Sequence, residues 1–153
     1  MTAAQDTTIA VVFTKISTST TSVVDKVGNG AASGSATVFV KAGGNAVDVI
    51  AELKASLGAS SVTITKDGEA VDSSAILGTG MVITADSATY TIVIKGDVDG
   101  DGAVTVGDAS AVMSSVHGTS TLTGAYKDAA FECSGKTSGS LSILDVMALL
   151  NSI

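Results

Sequence analysis

Gly96-Asp97-Val98-Asp99-Gly100-Asp101-Gly102-Ala103-Val104-Thr105-Val106-Gly107-Asp108 has the spacing of a metal loop, and it separates a β-rich region on its N-terminal side from a helical one on its C-terminal side. Calcium is a hard cation that takes about six to eight oxygens, and alternate residues of a tightly turned loop aim at one point. The spacing makes Asp97, Asp99 and Asp101 candidate ligands, with the backbone carbonyl of Ala103 at the seventh position. Thr105 at the ninth offers its hydroxyl or holds a water, and Asp108 closes the loop at the twelfth. Gly102 falls at the sharp bend, where a side chain would obstruct the turn. The general pattern closes with Glu; Asp108 is one methylene shorter, so the next helix must start closer to the ion or the carboxylate must bind differently. The alternative is an acidic turn that binds nothing, but unpaired carboxylates this close repel one another and raise their own pKa values. One Ca2+ is the expected cofactor.

After the loop, Ala109, Val112, Met113 and Val116 recur at three- and four-residue spacing and give a helix an apolar stripe. Ser142-Ile143-Leu144-Asp145 followed by Val146-Met147-Ala148-Leu149-Leu150 repeats the pattern of a loop end running into a helix. Ile143, Val146, Met147, Leu149, Leu150 and Ile153 leave that helix almost no polar face, so it is either deeply buried or shared between core and partner. Between the two, a short helix is expected with Thr123 as N-cap and Tyr126, Ala130 and Phe131 turned inward.

The region before the loop reads as α+β. Runs rich in β-branched residues at 9–16, 36–41, 62–66, 81–84 and 88–95 are bounded by turn residues, and Asp67-Gly68 signals a hairpin. One helix is expected over 45–57, with Asn45 as N-cap and Gly58 at its end. Its inward stripe is read as Val47, Ile50, Leu53 and Leu57, with Ala46 and Ala51 as further candidates. The Ser/Thr/Gly-rich stretch 17–35 is read as a long hairpin or loop, with disorder as the alternative.

The 96–108 loop and the helix after it resemble the first repeat of a type I dockerin, a family that also commonly closes its loop with Asp. The resemblance covers 96–153 and implies a second repeat. Counting back from Asp145 without gaps places Ser134, Lys136 and Ser138 where the first loop has its three aspartates, with Gly139 at the bend. A lysine ammonium repels a divalent cation and serine hydroxyls are weaker ligands than carboxylates, so a second site near Ser134 to Asp145 should bind poorly or not at all. A gapped alignment that recruits Glu132 or Asp128 is the alternative. The fold class expected is an α+β N-terminal module over 1–95, a small β-rich domain with one helix, followed by a small all-α calcium-binding dockerin with paired loop–helix repeats over 96–153. The front module looks like the X-type modules that precede and brace dockerins in some bacterial scaffold and adhesion proteins. With no Pro/Ser linker at the junction, the two should contact each other in a fixed orientation.

The function that the resemblance implies is docking to a cohesin domain on a scaffolding or anchoring protein, in an extracellular complex that degrades polysaccharides. Family recognition positions map onto Val106, Gly107, Met113 and Ser114, and onto Ile143, Leu144 and Leu150. The small apolar pair Val106-Gly107 differs from the hydroxyl pair of many dockerins. Because the two halves differ so much, a single binding orientation is expected.

Composition narrows the field. Net charge is −7 with eight lysines and no arginine, which argues against nucleic-acid binding, since that affinity rests on cationic side chains. Mean hydropathy is +0.48, but no apolar run approaches a membrane span. The opening Met1-Thr-Ala-Ala-Gln-Asp lacks signal-peptide features, so the chain is read either as cytosolic or as an excised secreted module, the second being favoured. Cys133 has no partner for an internal disulfide and is read as a partly buried filler; His117 is read as a surface or capping residue. A carbohydrate binder is disfavoured by the absence of Trp and by only two tyrosines, Tyr90 and Tyr126. No convergent nucleophile, base and acid suggests an enzyme. A calcium-stabilised adhesion or spacer module is the remaining alternative.

Overall fold

A computed structural model of the protein describes residues 22–153. The expected strand at 9–16 and the opening residues lie outside the described residues. The strands are β1 (Val24–Asn29), β2 (Ala36–Val40), β3 (Val62–Lys66), β4 (Glu69–Ala70), β5 (Val82–Ala85) and β6 (Ala88–Ile94). The helices are α1 (Ala46–Leu57), α2 (Val106–Val116), α3 (Gly124–Ser134) and α4 (Ile143–Leu150).

All six strands join one sheet in the order β1-β2-β6-β5-β3-β4, in which β2 and β6 run parallel and every other pair antiparallel. Ile92, Val93 and Ile94 are each fully buried. A strand covered on both faces carries such a continuous apolar run instead of alternating with polar residues. Successive side chains point to opposite faces, so Ile92 and Ile94, with Val38 and Val40, meet Ala46, Val49 and Leu53 of α1. Phe39 and Val93 point the other way, into a second core with Val98, Ala109, Val112, Ala129, Ala130, Val146 and Leu149.

That second core corrects the expected fold class. The residues after the loop do not make a small all-α unit behind a small β-rich one. One mixed sheet carries α1 on one face and α2, α3 and α4 on the other. The physical reason lies in β2 and β6: Phe39 and Val93 would face water without the three later helices, and those helices would lack the floor of their own core. Polar contacts reinforce the junction. The Asp128 carboxylate on α3 is buried and accepts from the backbone N–H groups of Ala32 and Ser33 in the turn after β1, and Gly96 N donates to Ala129 O at 3.0 Å. A Cβ at Gly30 would press on that carboxylate and on the Ser33 hydroxyl, so a side chain there would have to displace them.

Locally the reading holds in several places. α1 has Asn45 as N-cap, its side chain accepting from Asp48 N at 3.0 Å, and ends at Gly58 in the left-handed conformation. Its inward stripe is corrected: Ala46, Val49 and Leu53 are buried and Ile50 is half-buried, while Val47, Ala51 and Leu57 are exposed. Asp67 and Gly68 both have positive φ and join β3 to β4. Within 22–35, β1 forms a hairpin with β2.

Candidate functional site

β6 ends at Ile94 and the chain enters the aspartate loop at once, so the loop starts from one of the best-anchored strands of the sheet. Asp97 is fully buried. Its Oδ1 accepts from Gly100 N at 2.7 Å, and its Oδ2 accepts from Thr79 N at 2.8 Å and Gly102 N at 3.2 Å. The loop is thus fastened both to itself and to the segment ahead of β5. Contact there is close: Gly102 has φ +86° and a Cβ on it would run into the carbonyl of Leu77, while a Cβ on Gly78 would strike the carbonyl of Gly100. Gly102 is therefore glycine for two reasons, a left-handed backbone and a lack of space.

At the other end, Thr105 and Asp108 start α2 as a capping box. Thr105 N donates to Asp108 Oδ2 at 2.8 Å, and Thr105 Oγ1 accepts from Gly107 N at 3.0 Å. Asp108 Oδ1 accepts from Val98 N at 2.8 Å, closing the loop across its width. These bonds bring Asp97, Asp99 and Asp108 together, with one carboxylate oxygen from each within 4.8 Å of the other two. Asp97 and Asp108 are buried and Asp99 is exposed. Among the described residues this is a cluster that could hold a metal ion.

Asp101 stands apart from it: its side chain is exposed and its Oδ1 accepts from Ala103 N at 2.8 Å. Of the six ligands expected from spacing, three carboxylates converge, Thr105 is a helix cap, and Asp101 and Ala103 are joined to each other across the bend.

The donor set fits a hard cation. A carboxylate has about four acceptor positions. Asp97 and Asp108 each receive three protein hydrogen bonds, and Asp99 accepts from Asp101 N at 3.2 Å, so every member retains acceptor capacity. Among the described residues the ion pairs are Lys26 with Glu132 and Lys136 with Asp145, so no described lysine pairs with the cluster. Asp99 is exposed as a residue, but partial desolvation of its carboxyl at the loop raises its pKa above the ordinary value, and the negative charges of Asp108, Asp101 and Asp97 push it further, against a lowering bond from Asp101 N. Both effects are what a divalent ion would relieve.

The second loop is built differently. Asp145 starts α4 as Asp108 starts α2, its Oδ2 accepting from Ser142 N at 2.7 Å and Ser142 Oγ at 2.9 Å. Lys136 Nζ donates to the same oxygen at 2.7 Å, and Ser134 Oγ donates to Asp145 Oδ1. Asp128 and Glu132, the residues that a gapped alignment would recruit, are engaged elsewhere: Asp128 with the turn after β1, Glu132 with Lys26 at 2.9 Å.

Of the positions assigned to a partner, Val106, Ile143, Leu144 and Leu150 are exposed large apolar residues, Gly107 is exposed, and Met113 and Ser114 are half-buried. Ile143, Met147 and Leu150 lie at helical spacing on one outward face of α4, beside Leu144, while Val146 and Leu149 point into the core. The helix is shared between core and surface. Tyr126 is corrected from an inward position: it is partly exposed and its ring lies over Gly80 and Gly100, against the outside of the aspartate loop. Ala130 and Phe131 are buried as expected, and His117 is the C-cap of α2. Cys133 is half-buried, and burial raises its thiol pKa.

Sequence reasoning missed Thr79, whose N–H holds Asp97 and whose hydroxyl accepts from Ile94 N at 3.0 Å. Gly78-Thr79-Gly80 was the available signal, since glycines on both sides of a small polar residue permit close backbone approach. A pocket of about 600 Å³ lined by Phe39, Lys41, Lys95, Glu132 and Ile153 involves none of the three clustered aspartates. No helix among the described residues is long and apolar enough to cross a membrane. No family model, curated protein or solved structure matches the chain.

Proposed function

We propose that the chain is a calcium-dependent docking unit that binds another protein, with a cohesin domain of a scaffolding or anchoring protein as its partner. The observation that carries this reading is the convergence of Asp97, Asp99 and Asp108 at the start of a helix whose first residue, Val106, is 67% exposed. Calcium would be held by those three carboxylates, and its contribution would be to neutralise their charge, with Asp101, Ala103 and Thr105 as the further oxygens expected from the loop pattern. The residues themselves do the rest. Asp108 fixes the N-terminus of α2 through its capping bonds, so the loop and the helix surface beside it are one mechanical unit.

Exposed apolar side chains on α2 and α4 supply the contact. Val106 and the outward row Ile143, Leu144, Met147 and Leu150 are large apolar groups that gain free energy when a partner covers them. The two helices differ in the residues they expose, which supports a single binding orientation. Extracellular calcium near millimolar concentration suits a moderate-affinity loop of this kind, and assembly into an extracellular polysaccharide-degrading complex is the setting in which such docking operates. The work assigned to the chain is binding, with no catalytic step.

The test is a binding titration against a panel of cohesin domains, in calcium and in EDTA. Binding to at least one cohesin should appear in calcium and fall at least tenfold in EDTA. V106D and L144D should weaken it at least tenfold while leaving the circular dichroism spectrum unchanged. Calcium binding without capture of any cohesin would favour the adhesion or spacer reading, and binding indifferent to EDTA would refute the calcium dependence.

A further inference from the structure

Lys136 was expected to spoil a second metal site by repulsion, but its ammonium has a more specific place. Nζ donates to Ser140 O at 2.7 Å, to Ser142 Oγ at 3.3 Å and to Asp145 Oδ2 at 2.7 Å. In the ungapped correspondence between the two loops these acceptors stand at the positions of Ala103, Thr105 and Asp108. They are a backbone carbonyl, a hydroxyl and a closing carboxylate, the kinds of oxygen that the loop pattern assigns to a cation at its seventh, ninth and twelfth positions. The bends correspond too, since Gly102 and Gly139 both have positive φ.

We infer that the Lys136 ammonium occupies in the second loop the place that a cation takes in the first, so that α4 is anchored by a covalently supplied positive charge and needs no metal. Charge supports the substitution. Residues 97–108 carry four aspartates and no lysine, whereas 134–145 carry one lysine and one aspartate and are neutral as they stand. The Asp145 side chain is fully buried, and a buried carboxylate requires such a partner. Lys136 is well placed to stay there: its side chain is 30% exposed and its Nζ lies 5.6 Å from the centre of the Phe131 ring. The consequence is a division of labour. The start of α2 depends on an external ion, while the apolar row on α4 is presented whether or not calcium is present.

This inference takes its loop positions from the calcium reading, and one experiment separates the two. Calcium stoichiometry is measured by native mass spectrometry on the full chain and on its S134D/K136D variant, which places carboxylates at the first and third positions of the second loop. One calcium in the parent and two in the variant is the expected result. Two in the parent, or no gain in the variant, overturns the inference. None in the parent with one in the variant removes the calcium reading of the first loop and leaves the lysine substitution standing.

Folding is monitored by circular dichroism. S134D/K136D should lose helix signal in EDTA and regain it in calcium, and failure to regain it counts against the inference. K136M, which keeps the stem and removes the charge, should melt on the order of 5 °C or more below the parent in EDTA. An unchanged melting temperature would show that the ammonium is dispensable.

Discussion

The loops before α2 and α4 use the same cap and opposite electrostatics. Each closes with an aspartate at the third residue of its helix, bonded back to the N-cap residue, and each bends at a left-handed glycine. In the first, three carboxylates crowd together with no cation among the described side chains. In the second, one carboxylate is met by one ammonium at 2.7 Å. The difference shows that one backbone turn with one kind of cap can carry either a cluster of carboxylates with no ion pair among the described residues or a single carboxylate met by its own ammonium, so the cap does not fix the electrostatics of the loop.

The comparison breaks most visibly at the first position of each loop. Asp97 accepts three backbone N–H bonds from Thr79, Gly100 and Gly102, all buried, so D97A leaves three donors unsatisfied and should cost about 4 kcal/mol even in EDTA. Ser134 is exposed and engages Asp145 and the Phe131 carbonyl, so S134A should cost about 1 kcal/mol. Urea denaturation of both variants measures the contrast, and equal losses would remove it.

Acid sharpens the contrast further, because the two loops carry pKa shifts of opposite sign. Burial would raise the Asp145 carboxyl, but hydrogen bonds from Lys136, Ser134 and Ser142 outweigh it and hold the group below its ordinary value. A group with a lowered folded pKa contributes stability above the unfolded value and loses it as pH falls through the folded one. Asp99 is shifted upward, so in metal-free protein its contribution is present below the unfolded value and disappears as pH rises through the folded one. In EDTA, acidification below the ordinary aspartate range should therefore weaken the second loop. Urea titrations of K136M and the parent across that range should converge as Asp145 protonates, and a constant gap would contradict the assignment.

The smallest effect is expected at Asp99. D99N removes a repelled, exposed carboxylate, so in EDTA at neutral pH its stability should lie within about 0.5 kcal/mol of the parent or slightly above it. Its calcium-induced rise in melting temperature should be largely lost. A variant that kept the full rise would take Asp99 out of the ion's reach.

Much of this was legible in the residues themselves. Asn45 and Gly58 mark the ends of α1 because cap chemistry is local, and the Asp-Gly turn and the loop spacing are local for the same reason, whereas Thr105, a ligand by spacing, emerges as the N-cap of α2. The hidden part is non-local. Nothing near Phe39 or Val93 announces that helices more than ten residues further on will cover them, although the unbroken run Ile92-Val93-Ile94 was a sign of a strand buried on both faces. The stripe on α1 was misplaced because Val47 and Leu57 fit the helical period as well as Val49 does, and only the position of the sheet chooses between them. Lys136 was recognised as incompatible with a second ion, but its role as a donor to three loop oxygens depends on how a flexible side chain folds back. Thr79 holds Asp97 across 18 residues of sequence, a contact that spacing rules do not reach.

The most direct test tracks the backbone amides of both loops by ¹H–¹⁵N NMR during a calcium titration of the metal-free chain. Amide signals of Asp99, Gly100, Gly102 and Thr105 should shift and saturate at up to about millimolar calcium, while those of Gly135, Gly139 and Ser142 stay where they are. Silence in the first loop at that concentration, or matching shifts in the second, would contradict the account.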